Sequence, residues 1–264
     1  MKIDDVSLTL FRWDGIPATR YGSHMQGFAW ESNLGLLRVR TADGLEGHAF
    51  LGSASYAADQ DAGSLLRTLK PLVMGRDARD REAIWYAMTK AARRTTLRAI
   101  GAVDVALWDI AAKASGQPLY KHIGGFREQI PAYASSAVLA SREAYAEEAV
   151  HYRDNGWAAY KIHPPGPWQE DIEICRAVRE AVGPEFRVML DSTWSYVYEH
   201  AIKVGRAIEE LGFYWYEDPL AEDDLYGWIK LREKLDIPVM ATEYAPGGFT
   251  AYAPWIINKA TDYL

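Results

Sequence analysis

The pattern of hydrophobic and polar positions changes near residue 128 and predicts two differently built domains. Within residues 1–128, β-type runs come first, and two of them flank Asp43-Gly44, a pair typical of a hairpin turn. Helical periodicity follows over about residues 57–116, with Pro71 and the Gly75–Asp80 region marking breaks. We therefore predict an α+β domain over residues 1–128 that contains a β-hairpin.

From residue 129 to residue 264, short apolar runs alternate strictly with amphipathic helical segments. The five predicted strands are IPAYASSAVL, WAAYKIH, RVMLD, FYWYE and PVMATE. Alternation of this kind implies parallel strands joined by right-handed crossovers. Residues 129–264 are therefore predicted to form an α/β domain, either a doubly wound sheet or a (β/α) barrel.

Composition excludes several classes of protein. The chain has 264 residues, of which 49% are hydrophobic, and a net charge of -7, which argues against a disordered chain and a general nucleic-acid binder. The single cysteine, Cys175, cannot form an internal disulfide, and its amphipathic surroundings predict a buried side chain rather than a nucleophile. We find no signal peptide and no uncharged apolar run of about 18 residues, so we expect a cytoplasmic protein without a membrane span.

Three of the predicted strands end in an acidic residue. Asp191, Glu217 and Glu243 stand 26 residues apart, which is one strand–helix unit each time. Because neighbouring parallel strands end at the same edge, the three carboxylates should converge and repel one another unless a cation lies among them. Oxygen ligands of this kind suit Mg²⁺, so we predict a magnesium site. The alternative is that each carboxylate caps the following helix or pairs with a nearby arginine.

Two basic residues lie on the preceding predicted strand. Lys161 and His163 are at positions i and i+2, so their side chains should point to the same side of the strand, beside the carboxylates. A neighbouring basic group lowers the pKa of a lysine, and either residue is then suited to act as a base near neutrality. The alternative is an ion pair between Lys161 and a carboxylate, with a hydrogen-bonded histidine at the strand end.

Together with these residues, the segment AIGAVDVALWDIAAKASGQPLYKHIGG (99–125) resembles the enolase superfamily, and within it the mandelate racemase-like branch. It departs from the family pattern at His122, where an apolar residue is usual. The resemblance implies an N-terminal α+β capping domain followed by a (β/α) TIM-type barrel. It also implies that Asp191, Glu217 and Glu243 are the metal ligands, and Glu243 in place of aspartate favours the mandelate racemase-like branch.

The family removes the proton α to a carboxylate and forms an enediolate that Mg²⁺ stabilises. Its Lys-X-Lys base motif falls on Lys161-Ile162-His163, with histidine at the second position. The resemblance implies that His163 takes the proton, while Lys161 tunes it electrostatically and contacts the substrate carboxylate. The reverse assignment is the alternative. Because a neutral histidine is the competent base, we expect turnover to rise as His163 loses its proton.

In this family the capping domain determines specificity, and residues 13–32 resemble its mobile lid. The resemblance implies that lid side chains bind a second carboxylate or sugar hydroxyls and that tryptophans wall the pocket. The candidate substrate-binding residues are Arg20, Tyr21, His24, Trp30 and Trp194. The alternative is that these side chains only anchor the lid.

The leading functional prediction is a Mg²⁺-dependent dehydratase of an acid sugar, a small-molecule carboxylate, acting as a homo-oligomer. The first alternative is racemisation or epimerisation of a hydroxy or amino acid at the same carbon. The second alternative is a catalytically incompetent fragment that binds only metal or acid. It rests on an absence, because the family's far-side histidine–aspartate pair has no counterpart here. About five strand–helix units follow residue 128, whereas a closed barrel has eight, so we expect the 264 residues to be part of a longer enzyme.

Overall fold

The computed structural model describes residues 1–17, 19–23, 31–241, 243 and 248–264. These residues form two compact units, and the division along the chain falls between Gln129 and Ile130. Residues 19–23 belong to the second unit, although they lie within the predicted lid and precede most of the first unit in the chain.

The first unit contains a three-stranded antiparallel sheet in the order β1–β2–β3. Its strands are β1 (Ile3–Asp14), β2 (Glu31–Thr41) and β3 (Glu46–Leu51). The β2–β3 hairpin turns through Asp43-Gly44, as predicted: Gly44 has a φ of 88° and its N–H donates to the Thr41 carbonyl at 2.9 Å. A residue without a Cβ adopts this left-handed conformation at little cost, which explains the glycine.

Helices cover the sequence between β3 and the domain boundary. They are α1 (Asp59–Ser64), α2 (Lys70–Val73), α3 (Arg81–Thr89), α4 (Leu97–Ala114) and α5 (Leu119–His122), with a π turn at Leu65–Leu69 and a 3₁₀ turn at Ala92–Arg94.

The predicted break at Pro71 is wrong, because helical backbone continues from Asp59 to Val73. The π turn directly precedes the proline, and the Lys70 N–H donates to the carbonyl of Leu65, five residues back. A proline ring clashes with the carbonyl four residues before it, and a wider turn at that place relieves the clash. The helix ends instead just before Gly75, which has a φ of 79°, and the next helix begins at Arg81, so the predicted break at residues 75–80 is confirmed.

Helix α4 packs against the sheet and forms much of the first core. Thr96, the residue before the helix, is its N-cap, and the Thr96 side chain accepts a hydrogen bond from the Ala99 N–H at 3.1 Å. Gly47 on β3 faces this helix so closely that a Cβ there would lie 1.9 Å from the Ala106 carbonyl oxygen. The close approach of strand and helix therefore depends on a glycine at position 47.

The second unit contains a five-stranded parallel sheet in chain order, β4–β5–β6–β7–β8. Its elements are β4 (Ala134–Ser135), α6 (Arg142–Asp154), β5 (Ala159–Ile162), α7 (Trp168–Val182), β6 (Arg187–Asp191), α8 (Tyr198–Glu210), β7 (Tyr216–Glu217), α9 (Leu225–Lys234), β8 (Val239–Met240), a 3₁₀ turn (Gly248–Tyr252) and α10 (Ala253–Ile257). Beyond β8, Tyr263 forms an isolated parallel bridge with Met240. The architecture is that of a partial (β/α) barrel, so the barrel interpretation is correct and the doubly wound alternative is not.

The alternation of side chains along each strand separates the hydrophobic core from the polar site. Tyr160, Val188 and Tyr216 point towards the helices and lie in one buried cluster. Their neighbours Lys161 and Glu217 point to the opposite face of the sheet. Several paired strands are shorter than predicted, because the hydrophobic pattern reports burial rather than strand pairing. Among the described residues, no helix is both long and apolar enough to cross a membrane.

The close approach at Gly47 makes a direct prediction for stability. Gly47→Ala should lower the free energy of unfolding by about 1–3 kcal/mol, because its methyl group has no room against Ala106. Gly101→Ala is the matched control: it lies inside α4 with no atom within 4 Å of the added Cβ, and it should raise stability by about 0.5–1 kcal/mol. Urea unfolding of both variants measures the difference, and equal effects would contradict this account of the packing.

Candidate active site

Four ionisable side chains meet on the inner face of the parallel sheet. Lys161 and His163 come from the end of β5, Asp191 from the end of β6 and Glu217 from the end of β7. All four are buried, with exposed fractions of 1–7%. The predicted placement of two bases beside two strand-end carboxylates is therefore present in the structure.

A network of short contacts joins the four groups. The Lys161 Nζ lies 2.9 Å from Asp191 Oδ2 and 3.0 Å from Glu217 Oε1. The same Asp191 oxygen lies 2.9 Å from His163 Nε2. The ion pair that was the alternative interpretation of Lys161 is thus formed, and its ammonium lies between two of the predicted metal ligands.

The electrostatics of Lys161 differ from the sequence-based expectation. We expected its pKa to fall because of the neighbouring histidine. Burial does favour the neutral amine, but the carboxylates of Asp191 and Glu217 outweigh it and raise the pKa of Lys161 well above its ordinary value. Burial alone would raise the pKa of Asp191, yet His163 and Lys161 hold it below its ordinary value. Burial and the charge of Asp191 raise the pKa of Glu217.

Further hydrogen bonds orient each carboxylate. The Thr193 N–H donates to Asp191 Oδ1 at 3.1 Å, and the Trp215 indole N–H donates to Glu217 Oε2 at 2.9 Å. Neither carboxylate caps the helix that follows it, because α8 has no side-chain cap and α9 is capped by Asp224. The capping alternative is thereby excluded for these two residues.

The ring of His163 is held by Ser136, a residue that the sequence-based search missed. His163 Nδ1 lies 2.6 Å from the Ser136 carbonyl oxygen, and the His163 backbone N–H donates to Ser136 Oγ at 2.9 Å. A carbonyl oxygen only accepts, so Nδ1 donates to Ser136, and Nε2, which faces the Asp191 carboxylate, is the nitrogen left to exchange a proton. The available signal was a pair of hydroxyl residues, Ser135-Ser136, at the end of the first barrel strand.

Glu243 reaches the same cavity as Lys161 and Glu217. The cavity has a volume of about 330 Å³ and is lined by Asp218 as well. Burial and the charge of Asp191 raise the pKa of Glu243. In the described part of the chain, no three histidine, cysteine or acidic side chains lie close enough together to hold a metal. The Lys161 ammonium lies between Asp191 and Glu217 instead.

The donor chemistry around this cavity fits a hard divalent cation. Asp191 and Glu217 at two strand ends, and Glu243 three residues after β8, carry carboxylate oxygens of the type that Mg²⁺ prefers. Asp218, beside Glu217, is buried, and within the described residues neither of its side-chain oxygens has a hydrogen-bond partner. Burial and the nearby carboxylates of Asp191 and Glu217 raise the pKa of Asp218 to about 9. Carboxyl groups therefore crowd this place, and Asp218 carries a proton rather than a negative charge at neutral pH.

The predicted substrate-binding residues are distributed over different places. Tyr21 packs against His163, with ring centroids 4.8 Å apart. Arg20 lines a separate cavity of about 340 Å³, together with Tyr145 and Glu170. Trp194 lies in the turn after β6, where its backbone N–H donates to the Asp218 backbone carbonyl at 2.6 Å. His24 and Trp30 lie outside the described residues.

A buried carboxylate behind the site supports the turn that follows Asp191. Asp171, on the first turn of α7, accepts hydrogen bonds from the Tyr196 hydroxyl and from the Gly166 N–H. It is fully buried, and burial raises its pKa to about 6. Acidic residues are common in the first turn of helices, so the sequence offered no sign that this one is buried.

The fold and this cluster define a barrel-type enzyme with strand-end carboxylates. Residues 144–264 match the family described as enolase C-terminal domain-like, and residues 25–124 match the mandelate racemase / muconate lactonizing enzyme N-terminal domain. The chain belongs to the mandelate racemase / muconate lactonizing enzyme family of the enolase superfamily.

Its relatives include several acid-sugar dehydratases. The chain is 29% identical to arabinonate dehydratase of Saccharolobus solfataricus over 96% of its own length and 69% of that protein. It is 30% identical to L-talarate/galactarate dehydratase of Salmonella typhimurium, over 87% of this chain and 59% of that one. Among crystal structures, D-glucarate dehydratase from Agrobacterium tumefaciens with magnesium shares 34% identity and a TM-score of 0.83, covering 99% of this chain and 72% of that one.

The raised pKa of Asp171 predicts a pH dependence of stability. An acid whose pKa is about 6 in the folded state and 3.8 when unperturbed binds its proton more tightly in the folded protein. The stabilisation that this tighter proton binding adds to the free energy of unfolding is complete below about pH 4 and is lost as the pH rises through about 6. Compared with Asp171→Asn, the wild-type protein should therefore lose about 1–3 kcal/mol of unfolding free energy between about pH 4 and pH 7.

Urea unfolding at several pH values measures this difference. Glu180→Gln, which removes an exposed carboxylate on the same helix, is the control and should follow the wild-type curve. Parallel curves for wild type and Asp171→Asn would contradict the assignment.

Proposed function

We propose that this chain carries the base and the metal ligands of a Mg²⁺-dependent lyase that dehydrates an acid sugar. The observation that carries the proposal is the convergence of His163 Nε2 and Lys161 Nζ on Asp191, next to the cavity lined by Glu217 and Glu243. Bases and strand-end carboxylates at one buried place suit removal of a weakly acidic proton. The acid-sugar dehydratases among its relatives support the substrate class.

His163 is the proposed base. Its Nδ1 donates to the Ser136 carbonyl, so Nε2 takes the proton from the carbon α to the substrate carboxylate. The C–H bond breaks, and its electron pair moves into the carboxylate to give an enediolate. The electrons then return to form a double bond to the β carbon while the C–O bond breaks. The departing hydroxyl takes the proton that His163 Nε2 removed and leaves as water, and the enol that remains tautomerises to a 2-keto-3-deoxy acid.

Lys161 orients the reacting group. Its ammonium, charged and buried between Asp191 and Glu217, is a preorganised donor for a carboxylate oxygen of the substrate. Mg²⁺ held by Asp191, Glu217 and Glu243 would supply positive charge to stabilise the developing negative charge of the substrate. Arg20, His24, Trp30 and Trp194 remain predicted substrate contacts, whereas the ring contact of Tyr21 with His163 favours a different role for Tyr21. Homo-oligomerisation and a cytoplasmic location also remain predictions.

The metal assignment predicts a loss of cation binding on removal of one ligand. Asp191→Asn and Glu217→Gln should each weaken Mg²⁺ binding at least about 10-fold, since each removes a charged oxygen donor. Isothermal titration calorimetry of the purified chain with MgCl₂ measures the affinity. Asp171→Asn is the control, because it neutralises a buried carboxylate outside this cavity and should bind Mg²⁺ as the wild type does. Unchanged affinity in both ligand variants would refute the metal site.

The base assignment predicts exchange of the α proton with solvent. In D₂O with MgCl₂ and a mixture of arabinonate, galactarate and glucarate, the wild-type chain should remove the α-proton NMR signal of its substrate. The signal is lost whether the substrate is dehydrated or returned with deuterium at the α carbon. His163→Ala should slow this by about 10²-fold or more. His151→Ala, an exposed histidine on α6, is the control and should exchange at the wild-type rate.

The products of the same incubation separate the two reaction classes. A dehydratase gives a keto-deoxy acid, whereas an epimerase returns deuterated substrate and its epimer without that product. If His163→Ala exchanges as fast as the wild type, His163 is not the base.

A further inference from the structure

Residues 20–23, here called the strap, lie in the second unit and are joined to it at each end. The Val138 N–H donates to the Arg20 carbonyl at 2.8 Å. At the other end, the backbone N–H and the hydroxyl of Ser23 lie 3.3 and 3.0 Å from Ser195 Oγ. Between these ends lie Tyr21 and Gly22. The strap therefore occupies a defined place against the barrel strands and their loops.

Gly22 is packed too closely for any other residue. Its φ is +63°, and a Cβ there would lie 2.1 Å from Thr193 Oγ1 and 2.8 Å from Thr193 Cβ. From the loop after β5, Gly166 makes a second close approach, because a Cβ there would lie 2.5 Å from the Ser23 Cβ. Two glycines thus let the strap fit between the loops that follow β5 and β6.

The turn beneath Gly22 is strained. Thr193 and Trp194 have φ values of 44° and 56°, and Ser195 N–H donates to the Ser192 carbonyl at 3.1 Å, closing the turn. A β-branched residue with positive φ is an outlier that the surrounding structure must hold in place. The same Thr193 donates its N–H to Asp191, so this strained turn joins the strap to the carboxylate that contacts His163.

Tyr21 is held on the ring of the proposed base. The rings of Tyr21 and His163 meet edge-to-face at 71° with centroids 4.8 Å apart. The two nitrogens of His163 are already held by Ser136 and Asp191. The aromatic contact restrains the ring from a further direction.

We propose that Tyr21 is a positioning residue for His163, and that the close packing of Gly22 on Thr193 keeps Tyr21 in this position. Tyr21 contacts the ring of His163, the proposed proton acceptor, and does not contact the substrate. The inference rests on the proposed function only in that His163 is taken to be the base.

The first experiment measures the ring contact without catalysis. In protein labelled at histidine, the NMR signals of the His163 ring, identified by their loss in His163→Gln, should shift in Tyr21→Ala, because the ring current of the tyrosine disappears. Tyr21→Phe retains an aromatic ring and should leave them close to their wild-type positions. His163 signals that do not move in Tyr21→Ala would overturn the proposal.

The second experiment measures the seating of the strap. Gly22→Ala should increase trypsin cleavage after Arg20 by about 10-fold or more, because a docked segment resists proteolysis. Gly15→Ala is the matched control: its φ of +66° imposes the same backbone strain, but no atom lies within 4 Å of its added Cβ. Adding Thr193→Gly to Gly22→Ala removes the obstructing side chain and should restore protection. Equal cleavage in the Gly22 and Gly15 variants would overturn the packing argument.

The third experiment separates positioning from substrate contact. For α-proton exchange, Tyr21→Ala should lower kcat about 10- to 100-fold with little change in KM, whereas Tyr21→Phe should stay near wild type. A raised KM with unchanged kcat would make Tyr21 a substrate contact and overturn the proposal. If the wild type neither exchanges the α proton nor forms a keto-deoxy acid, the proposed function fails, while the NMR and proteolysis results still decide the role of Tyr21. Circular dichroism confirms that each variant is folded.

Discussion

The placement of the Lys161 ammonium between Asp191 and Glu217 is the constraint on which the site depends. Two carboxylates buried 2.9–3.0 Å from one lysine leave little room for rearrangement, because an unpaired buried charge costs several kcal/mol. The lysine therefore holds the ends of β6 and β7 in a set relation to β5. The same pairing keeps Lys161 charged, so it is suited to bind an anion and unsuited to act as a base.

Neutral groups around this charged centre decide how its members are oriented. Ser136 sets which nitrogen of His163 carries the hydrogen, and Thr193 and Trp215 each hold one oxygen of a carboxylate. The strained turn at Thr193 is stable only because it is bonded to the neighbouring strand ends. Precision at the site thus comes from residues that carry no charge and match no catalytic motif.

Side chains along each parallel strand point alternately to the two faces of the sheet. The charged site and the hydrophobic core therefore lie on opposite faces of the same strands. Tyr160, Val188 and Tyr216 bury one face against the helices, and their neighbours Lys161 and Glu217 lie on the opposite face, in the polar site. The relatives include an arabinonate dehydratase and an N-succinylamino acid racemase, so the barrel defines the family while the residues around the cavity define the reaction.

The sequence by itself determined the order of strands and helices, the Asp43-Gly44 hairpin and the gathering of Lys161, His163, Asp191 and Glu217, because periodicity and equal spacing are local properties of a repeated strand–helix unit. Tertiary structure alone decided the raised pKa of Lys161, the helical path through Pro71 and the roles of Ser136, Asp171 and Tyr21. Each of these depends on atoms that are brought together by packing. Residues 21 and 163 are far apart in the chain, and nothing in the pattern of either segment reveals that their rings meet.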